Sequence, residues 1–254
     1  PLDLRWGTGQ VAGDPADVWT ERYAGVWHMG DSLSGVDGDE ILNSMNLLEP
    51  GLTAGQMAPE QSVAGVMGRG IAFDAVDDVI RVDAQFVGQL ESYSLSLWAR
   101  FEGADGEDVA YFQRLNGTSL MPRCWRMAGG EVFCQYKLVE SAATHGLVTD
   151  TNHGVGQLMH LAMIRDAAAN VTQLYLDGEL VDTNVDPPDA TLDAGANPFE
   201  IGHGHVGSWH GMIDEVRVSE APLSAAWIRA DYRSQLEPSL AVQSVGAVEP
   251  VPCG

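Results

Sequence analysis

From about residue 70 onward the sequence breaks into ten short runs, IAFDAV, DVIRV, YSLSLWARF, DVAYFQRL, SLMPRCWRM, EVFCQYKLV, QLMHLAMIR, VTQLYLDGELV, PFEIGHG and GMIDEVRVS, punctuated by Gly, Asp and Asn. Brief extended segments with turn signals between them are the mark of an all-β sandwich of antiparallel strands. In YSLSLWARF, Tyr93, Leu95, Leu97 and Ala99 share one face, and Ser94, Ser96, Trp98 and Arg100 share the other, because side chains alternate along a strand. Asp177-Gly178, set between Leu174-Tyr175-Leu176 and Leu180-Val181, predicts a two-residue hairpin turn. One short helix is expected near the C-terminus, where Ser224 can cap AAWIRADYRSQ and Trp227, Ile228 and Tyr232 supply its apolar side. Residues 14–22 resemble one capped helical turn, and residues 43–65 hold turn material with no clear element.

Cys124 and Cys134 bracket WRMAGGEVF, an alternation broken by Gly129-Gly130 that reads as two strands and a turn. The two cysteines then face each other across a hairpin, close enough for a disulfide, with a metal site or two free thiols as the other outcomes. A disulfide favours an oxidising, extracellular compartment. Cys253 stands in a Pro-rich ending that has no packing pattern, either as a free thiol or as an attachment point.

Charge narrows the partners. With 13 basic against 36 acidic side chains the formal net charge is −23, which repels phosphate backbones and anionic headgroups and argues against nucleic acid and membrane-surface binding. Lys137 is the single lysine, so Schiff-base and P-loop chemistry have little to use. No apolar stretch approaches the roughly 18 residues that a spanning helix needs. The chain starts at Pro1, which is expected of a mature product or of a fragment of something longer.

The order VWHMGDSL (26–33), DGDEILNSMN (37–46), GRGIAFDAVDDVIRV (68–82), YSLSLWARF (93–101), LYLDGELV (174–181) and GMIDEVRVSEAPLSAAWIRADYRSQ (211–235) resembles the laminin G-like, concanavalin A-like jelly-roll domains of bacterial surface proteins. The resemblance covers residues 23–235. It leaves residues 1–22 as an extended arm or the remnant of a preceding domain that accompanies this module in exported proteins, and residues 236–254 as a Pro-containing tail. It implies two packed antiparallel sheets of six or seven strands, with the first and last strands adjacent. It also implies a secreted or cell-surface module that binds glycans or matrix proteins, often with calcium, and rarely does chemistry.

Calcium needs six to eight oxygen ligands, which Asp and Asn in loops supply. Asp31, Asp37, Asp39, Asn43 and Asn46 lie near the first strand, Asp74, Asp77 and Asp78 in the next, and Asp214 and Glu215 in the last. Asp31, Asp39, Asp74 and Asp214 are the expected metal ligands, with Asp31 or Asp39 meeting Asp214 where the outer strands adjoin. His203, His205 and His210 in IGHGHVGSWHG offer a rival transition-metal site or a glycan-contacting loop. Sugar rings stack on aromatic faces, so Trp125, Trp209 and Tyr136, with Tyr111 and His205, are the expected ligand contacts, while Trp27, Trp98 and Trp227 are structural. His28 is expected to be packed or hydrogen-bonded.

A glycosidase needs two carboxylates projecting to one side. Glu102 and Glu107, like Glu215 and Glu220, are five apart and point oppositely on a strand, so enzymatic activity is not expected. The reading is therefore a non-catalytic extracellular module recognising a glycan or surface protein through loops at the sandwich edge. The second reading is a structural subunit of an extracellular assembly that self-associates by adding its terminal arms to a neighbour's sheet.

Overall fold

The computed structural model describes residues 23–45, 50–82, 91–114, 122–139, 144–192 and 198–237. The expected N-terminal arm, the helical turn at 14–22, Asn46, and the tail from residue 238 including Cys253 lie outside the described residues.

Sixteen strands among the described residues follow the alternation of the sequence: β1 (Tyr23–Trp27), β2 (Glu40–Ile41), β3 (Gly51–Ala54), β4 (Ser62–Ala64), β5 (Arg69–Asp74), β6 (Val79–Val82), β7 (Tyr93–Phe101), β8 (Val109–Arg114), β9 (Arg123–Arg126), β10 (Glu131–Lys137), β11 (Thr144–Asn152), β12 (Leu158–Asp166), β13 (Val171–Leu176), β14 (Glu179–Val185), β15 (Phe199–Ile201) and β16 (His210–Ser219). The helix α1 (Ala225–Leu236) closes the chain of elements. The first sheet runs β14-β13-β12-β7-β16-β5-β4, with β1 also pairing β16, and the second runs β11-β10-β9-β8-β15-β6-β3-β2. Every pairing is antiparallel, and the first and last strands adjoin.

Each sheet holds eight described strands rather than six or seven. The surplus comes from pieces too short to show a period, among them β2, β3 and β4. Residues 43–65 are thus more than turn material. Gly51–Ala54 pairs with β6, a one-turn 3-10 helix spans Pro59–Gln61, and Ser62–Ala64 pairs with β5. Elements of three or four residues are specified by their partners, not by alternation.

The core lies between the sheets. Tyr93, Leu95, Leu97, Ala99 and Phe101 of β7 face Val132, Cys134 and Tyr136 of β10 within one buried cluster. Burying each large apolar side chain contributes roughly 1.5–3 kcal/mol. On β10 burial alternates without a break, so Phe133, Gln135 and Lys137 must face outward. Cys134 sits directly opposite Cys124 at a Cα separation of 4.1 Å, and the two are joined as a disulfide.

The opposite face of β7 is buried too, under α1. Trp98 stacks on Tyr232 at 5.4 Å and its Nε1–H donates to Gln235 Oε1 at 3.0 Å. Ile228 packs into a second apolar cluster with Ala162, Ile164 and Tyr175. The Ser224 hydroxyl accepts from the Trp227 amide at 3.3 Å, the expected cap. Trp227 itself is 40% exposed. No described helix is long and apolar enough to cross a membrane.

Candidate functional site

Because α1 covers the first sheet, the two outer faces of the sandwich are unequal. Among the described residues no α-helix lies on the second sheet. Its register sets eight residues in one row across all eight strands: Glu40, Leu52, Arg81, Glu200, Gln113, Arg123, Gln135 and Gly146 are successive cross-strand partners. Directly opposed residues in a sheet share a face, and the neighbouring row containing Ile80, Ile201, Phe112, Cys124 and Cys134 is core, so this row faces outward.

Polar side chains link the row laterally. Arg81 Nε donates to Glu200 Oε1 at 3.0 Å, and Gln113 Nε2 donates to Glu200 Oε2 at 2.8 Å. Burial raises the Glu200 carboxyl and hydrogen bonds from His203, Gln113 and Arg81 outweigh it, holding the pKa at about 2. Arg123 donates to Gln135 Oε1 from Nε at 3.0 Å and also from Nη2. Beside this ladder stands an apolar row of Ala110, Trp125, Phe133 and Val148. Trp125 and Phe133 meet at 4.7 Å, and the Arg123 guanidinium lies 4.8 Å over the Trp125 ring.

The turn after β15 forms a wall. The His205 amide donates to Gln113 Oε1 at 2.9 Å, its ring stands edge-on to Trp125 at 6.0 Å, and Arg123 Nη1 reaches its ring nitrogens at 2.7 and 2.8 Å. A Cβ at Gly204 would approach the Ala110 Cβ to 2.4 Å, so only glycine lets this turn lie so close to the sheet. Burial and then Arg123 push the His205 pKa down, which keeps it a neutral hydrogen-bonding ring.

Of the expected ligand contacts, the structure brings Trp125 and His205 together at the outer face, with Trp125 itself only 9% exposed, and places the others in the core. Trp209 is fully buried against Tyr111 at 4.5 Å and Phe101 at 5.6 Å, so it is no surface contact. Tyr111 is buried as well, its hydroxyl 2.8 Å from His153. Tyr136 points inward, and its hydroxyl donates to Asp186 Oδ1 at 2.6 Å. Asp186 also takes Arg165 and Thr172, so Tyr136 pins β10 to the other sheet. Arg123, Phe133 and Gln135 were missed from the sequence. The register carried the signal: once Cys124 opposes Cys134, Trp125 must oppose Phe133 and Arg123 must oppose Gln135.

The expected metal ligands do not assemble. Asp31 Oδ2 accepts from the Leu42 amide at 3.0 Å, Asp39 Oδ2 from the Ser34 amide at 2.5 Å, and Asp214 Oδ2 from the Val66 amide at 2.6 Å. Although β1 adjoins β16, these carboxylates serve backbone turns. Among the described residues the acidic group within mutual ligand reach is Asp74, Asp77 and Asp78, with oxygens inside 4.8 Å of one another. Asp78 is buried; its Oδ2 accepts from the Asp74 amide and from Gln61 Nε2, and its Oδ1 has no partner. Burial is the main cause pushing the Asp78 pKa up to about 6. The histidines diverge: His203 turns to Glu200 at 3.5 Å and His205 to Arg123. His28 Nδ1 lies 2.7 Å from Glu215 Oε1.

Two clefts open elsewhere, one of about 500 Å³ lined by His153, Leu158, Asp177 and Val181 among others, one of about 390 Å³ around Asp31, Leu33 and Arg69. Neither is lined by Trp, Tyr or Phe.

Residues 74–229 match the family model described as the concanavalin A-like lectin/glucanases superfamily. No curated protein sequence matches the chain. Among solved structures the chain resembles domain 4 of AbnA, an extracellular arabinanase of Geobacillus stearothermophilus in complex with arabinotriose, with TM-score 0.63, 19% identity and coverage of 82% of this chain and 97% of that one. It also resembles the botulinum neurotoxin serotype D binding domain (TM-score 0.66, 11% identity, 84% and 52% coverage) and a Trypanosoma rangeli sialidase (0.63, 14%, 86% and 33%). The chain thus spans about half of the neurotoxin domain and a third of the sialidase.

Proposed function

Starting from the chain's membership of the concanavalin A-like lectin/glucanases superfamily, we propose that it is a non-catalytic, extracellular carbohydrate-binding module whose glycan lies across the outer face of the second sheet. The observation that carries this reading is the row of side chains from Glu40 to Gly146 on the sheet that α1 leaves uncovered: Glu200, Gln113 and the neighbouring Trp125 are buried as supports, while Arg123, Gln135 and the neighbouring Phe133 are half-buried and Gly146 is exposed. Sugars are held by apolar stacking together with hydrogen bonds from fixed polar groups, and this face supplies both. The site therefore sits on a sheet face, with the His205 turn as a wall, rather than in edge loops alone. Support comes from the arabinotriose held by the arabinanase domain of the same fold, and the Cys124–Cys134 disulfide suits export.

Hydrolysis is disfavoured by spacing. Glu40 and Glu200 lie three strands apart in the row, about 14 Å at the usual strand separation. Glycosidase carboxyl pairs stand roughly 5–9.5 Å apart. The test is a polysaccharide microarray followed by titration of the best hit. Phe133→Ala is expected to weaken binding about tenfold with the fold retained. Unchanged affinity would move the site off this sheet.

Calcium at Asp74, Asp77 and Asp78 is a second proposal, favoured by the buried Asp78 oxygen that no described residue satisfies. Calcium would neutralise the three crowded carboxylates and tie β5 to β6. The expected outcome is a melting temperature that rises with millimolar calcium in the native protein and does not move in Asp78→Asn; an equal response in both would exclude the site.

A further inference from the structure

Resting on the glycan reading above, we infer that the sugar bound on this face carries a carboxylate, and that Arg123 receives it. The argument begins with how the protein uses its arginines. Arg81, Arg100, Arg126, Arg165, Arg217 and Arg229 each pair with a carboxylate. Among the described residues Arg123 does not, nor does Arg69, which bonds Ser62 at the far sheet's edge, but Arg123 is the one of the two on this face. Its partners are the Gln135 amide oxygen, the His205 ring and the Trp125 face, all neutral. In a chain with 36 acidic side chains, an arginine met by an amide and an imidazole is a cation left without its counter-ion.

The guanidinium is also held ready. A guanidinium has five N–H donors in a fixed plane. Nε and Nη2 each donate to Gln135, and Nη1 lies within 2.8 Å of both His205 ring nitrogens, of which a neutral imidazole offers one as acceptor, so one N–H on each terminal nitrogen has no acceptor among the described residues. Two free donors on one planar fork are what a carboxylate accepts in bidentate fashion. Stacking on Trp125 and bonding to Gln135 fix the plane before a ligand arrives, so little side-chain entropy remains to be lost. Partial burial weakens its hydration, which makes a ligand carboxylate a better exchange for water than it is at an open arginine.

The surroundings agree. Arg81 lies in the same outward row and Lys137, the single lysine, projects from the same face of β10. The described acids on this face are Glu200, engaged by Arg81 and Gln113, and Glu40, Glu131 and Asp150, which lie at its margins. A protein of net charge −23 thus places a positive focus beside a half-buried ring, Phe133. A uronic-acid residue stacked on Phe133 would offer its carboxylate to Arg123, two residue pairs along the hairpin and the next on this face.

Calorimetry on the full chain with oligogalacturonates, oligoalginates and glucuronoxylan fragments, each beside its methyl ester, tests this, together with a neutral arabino-oligosaccharide and a sulfated dextran. At least one acid should bind about tenfold tighter than its ester, with Arg123→Gln erasing the difference and Arg123→Lys keeping part of it. Equal affinity for acid and ester, or a preference that survives Arg123→Gln, would overturn the inference and leave the glycan reading standing. Equal binding of sulfated dextran would reduce Arg123 to a charge sink and would also overturn it. If no sugar binds, acidic or neutral, the glycan reading falls as well.

Discussion

A buried imidazole shows how much one side chain can carry here. His160 lies under α1, its ring 5.1 Å from Trp98, with Nδ1 unpartnered among the described residues and Nε2 4.0 Å from Asp231. Burial, helped by Arg217, pushes its pKa down to about 3. Below its ordinary value of about 6.5 the unfolded chain therefore takes up a proton that the folded chain refuses, and stability is lost as pH falls toward that depressed value. His160→Gln removes this loss. The native protein's lead over the variant should shrink by about 1.4 kcal/mol per pH unit between about pH 6 and pH 4 in urea unfolding, and a constant gap would mean the ring is not held neutral. At this scale the sequence disclosed the cysteine pair, and the two expected contacts Trp125 and His205 are neighbours on the outer face. It could not disclose that Trp209 and Tyr136 turn inward, because an isolated Trp or Tyr in an alternating run fits either face until the register of its neighbours is known.

The Asp177-Gly178 turn and α1 are coupled elements. Both turn residues adopt positive φ, 49° and 79°, which glycine accepts freely and other residues resist. A Cβ at Gly178 would also come within 3.1 Å of Tyr232 and 3.2 Å of the Arg229 backbone, so the turn is pressed against the helix. Gly178→Ala should cost about 1–3 kcal/mol, seen as a lower melting temperature, and should disturb the Trp98 fluorescence because Tyr232 stacks on that ring. A neutral substitution would show that helix and turn do not touch in solution. This hairpin and the Ser224 cap were legible because turn and cap chemistry are local. The row from Glu40 to Gly146 was not, since its eight members come from strands scattered over more than a hundred residues and meet only through long-range pairing.

At the scale of the whole molecule, charge sets stability and binding against each other. A net charge of −23 repels itself in the compact state, while the Arg123 contact proposed above is an attraction. Raising ionic strength from about 10 to about 300 mM shortens the screening length several-fold. The melting temperature should rise across that range while affinity for an acidic oligosaccharide falls; if both fall, self-repulsion is not a leading cost of folding. The sandwich itself was readable from alternation, since two facing oily layers are what period-two runs can bury. Which face stays uncovered was not, because it depends on which sheet the twelve residues of α1 pack against, a long-range contact.

The pairing of β1 with β16 has a mechanical side. Tyr23 opposes Ser219 and Trp27 opposes Val216, so the start of β1 and the end of β16 lie at the same end of one ladder. Tension applied between those points would peel the rungs off one after another, whereas staggered anchor points would load them all at once. Before any rung opened, the pull would have to free α1, held by Arg217 to Asp231 at 2.6 Å and by Trp227 to the Tyr23 hydroxyl at 3.3 Å. The helix thus acts as a latch on a zip, and a module tethered through this end would give way stepwise under flow instead of snapping.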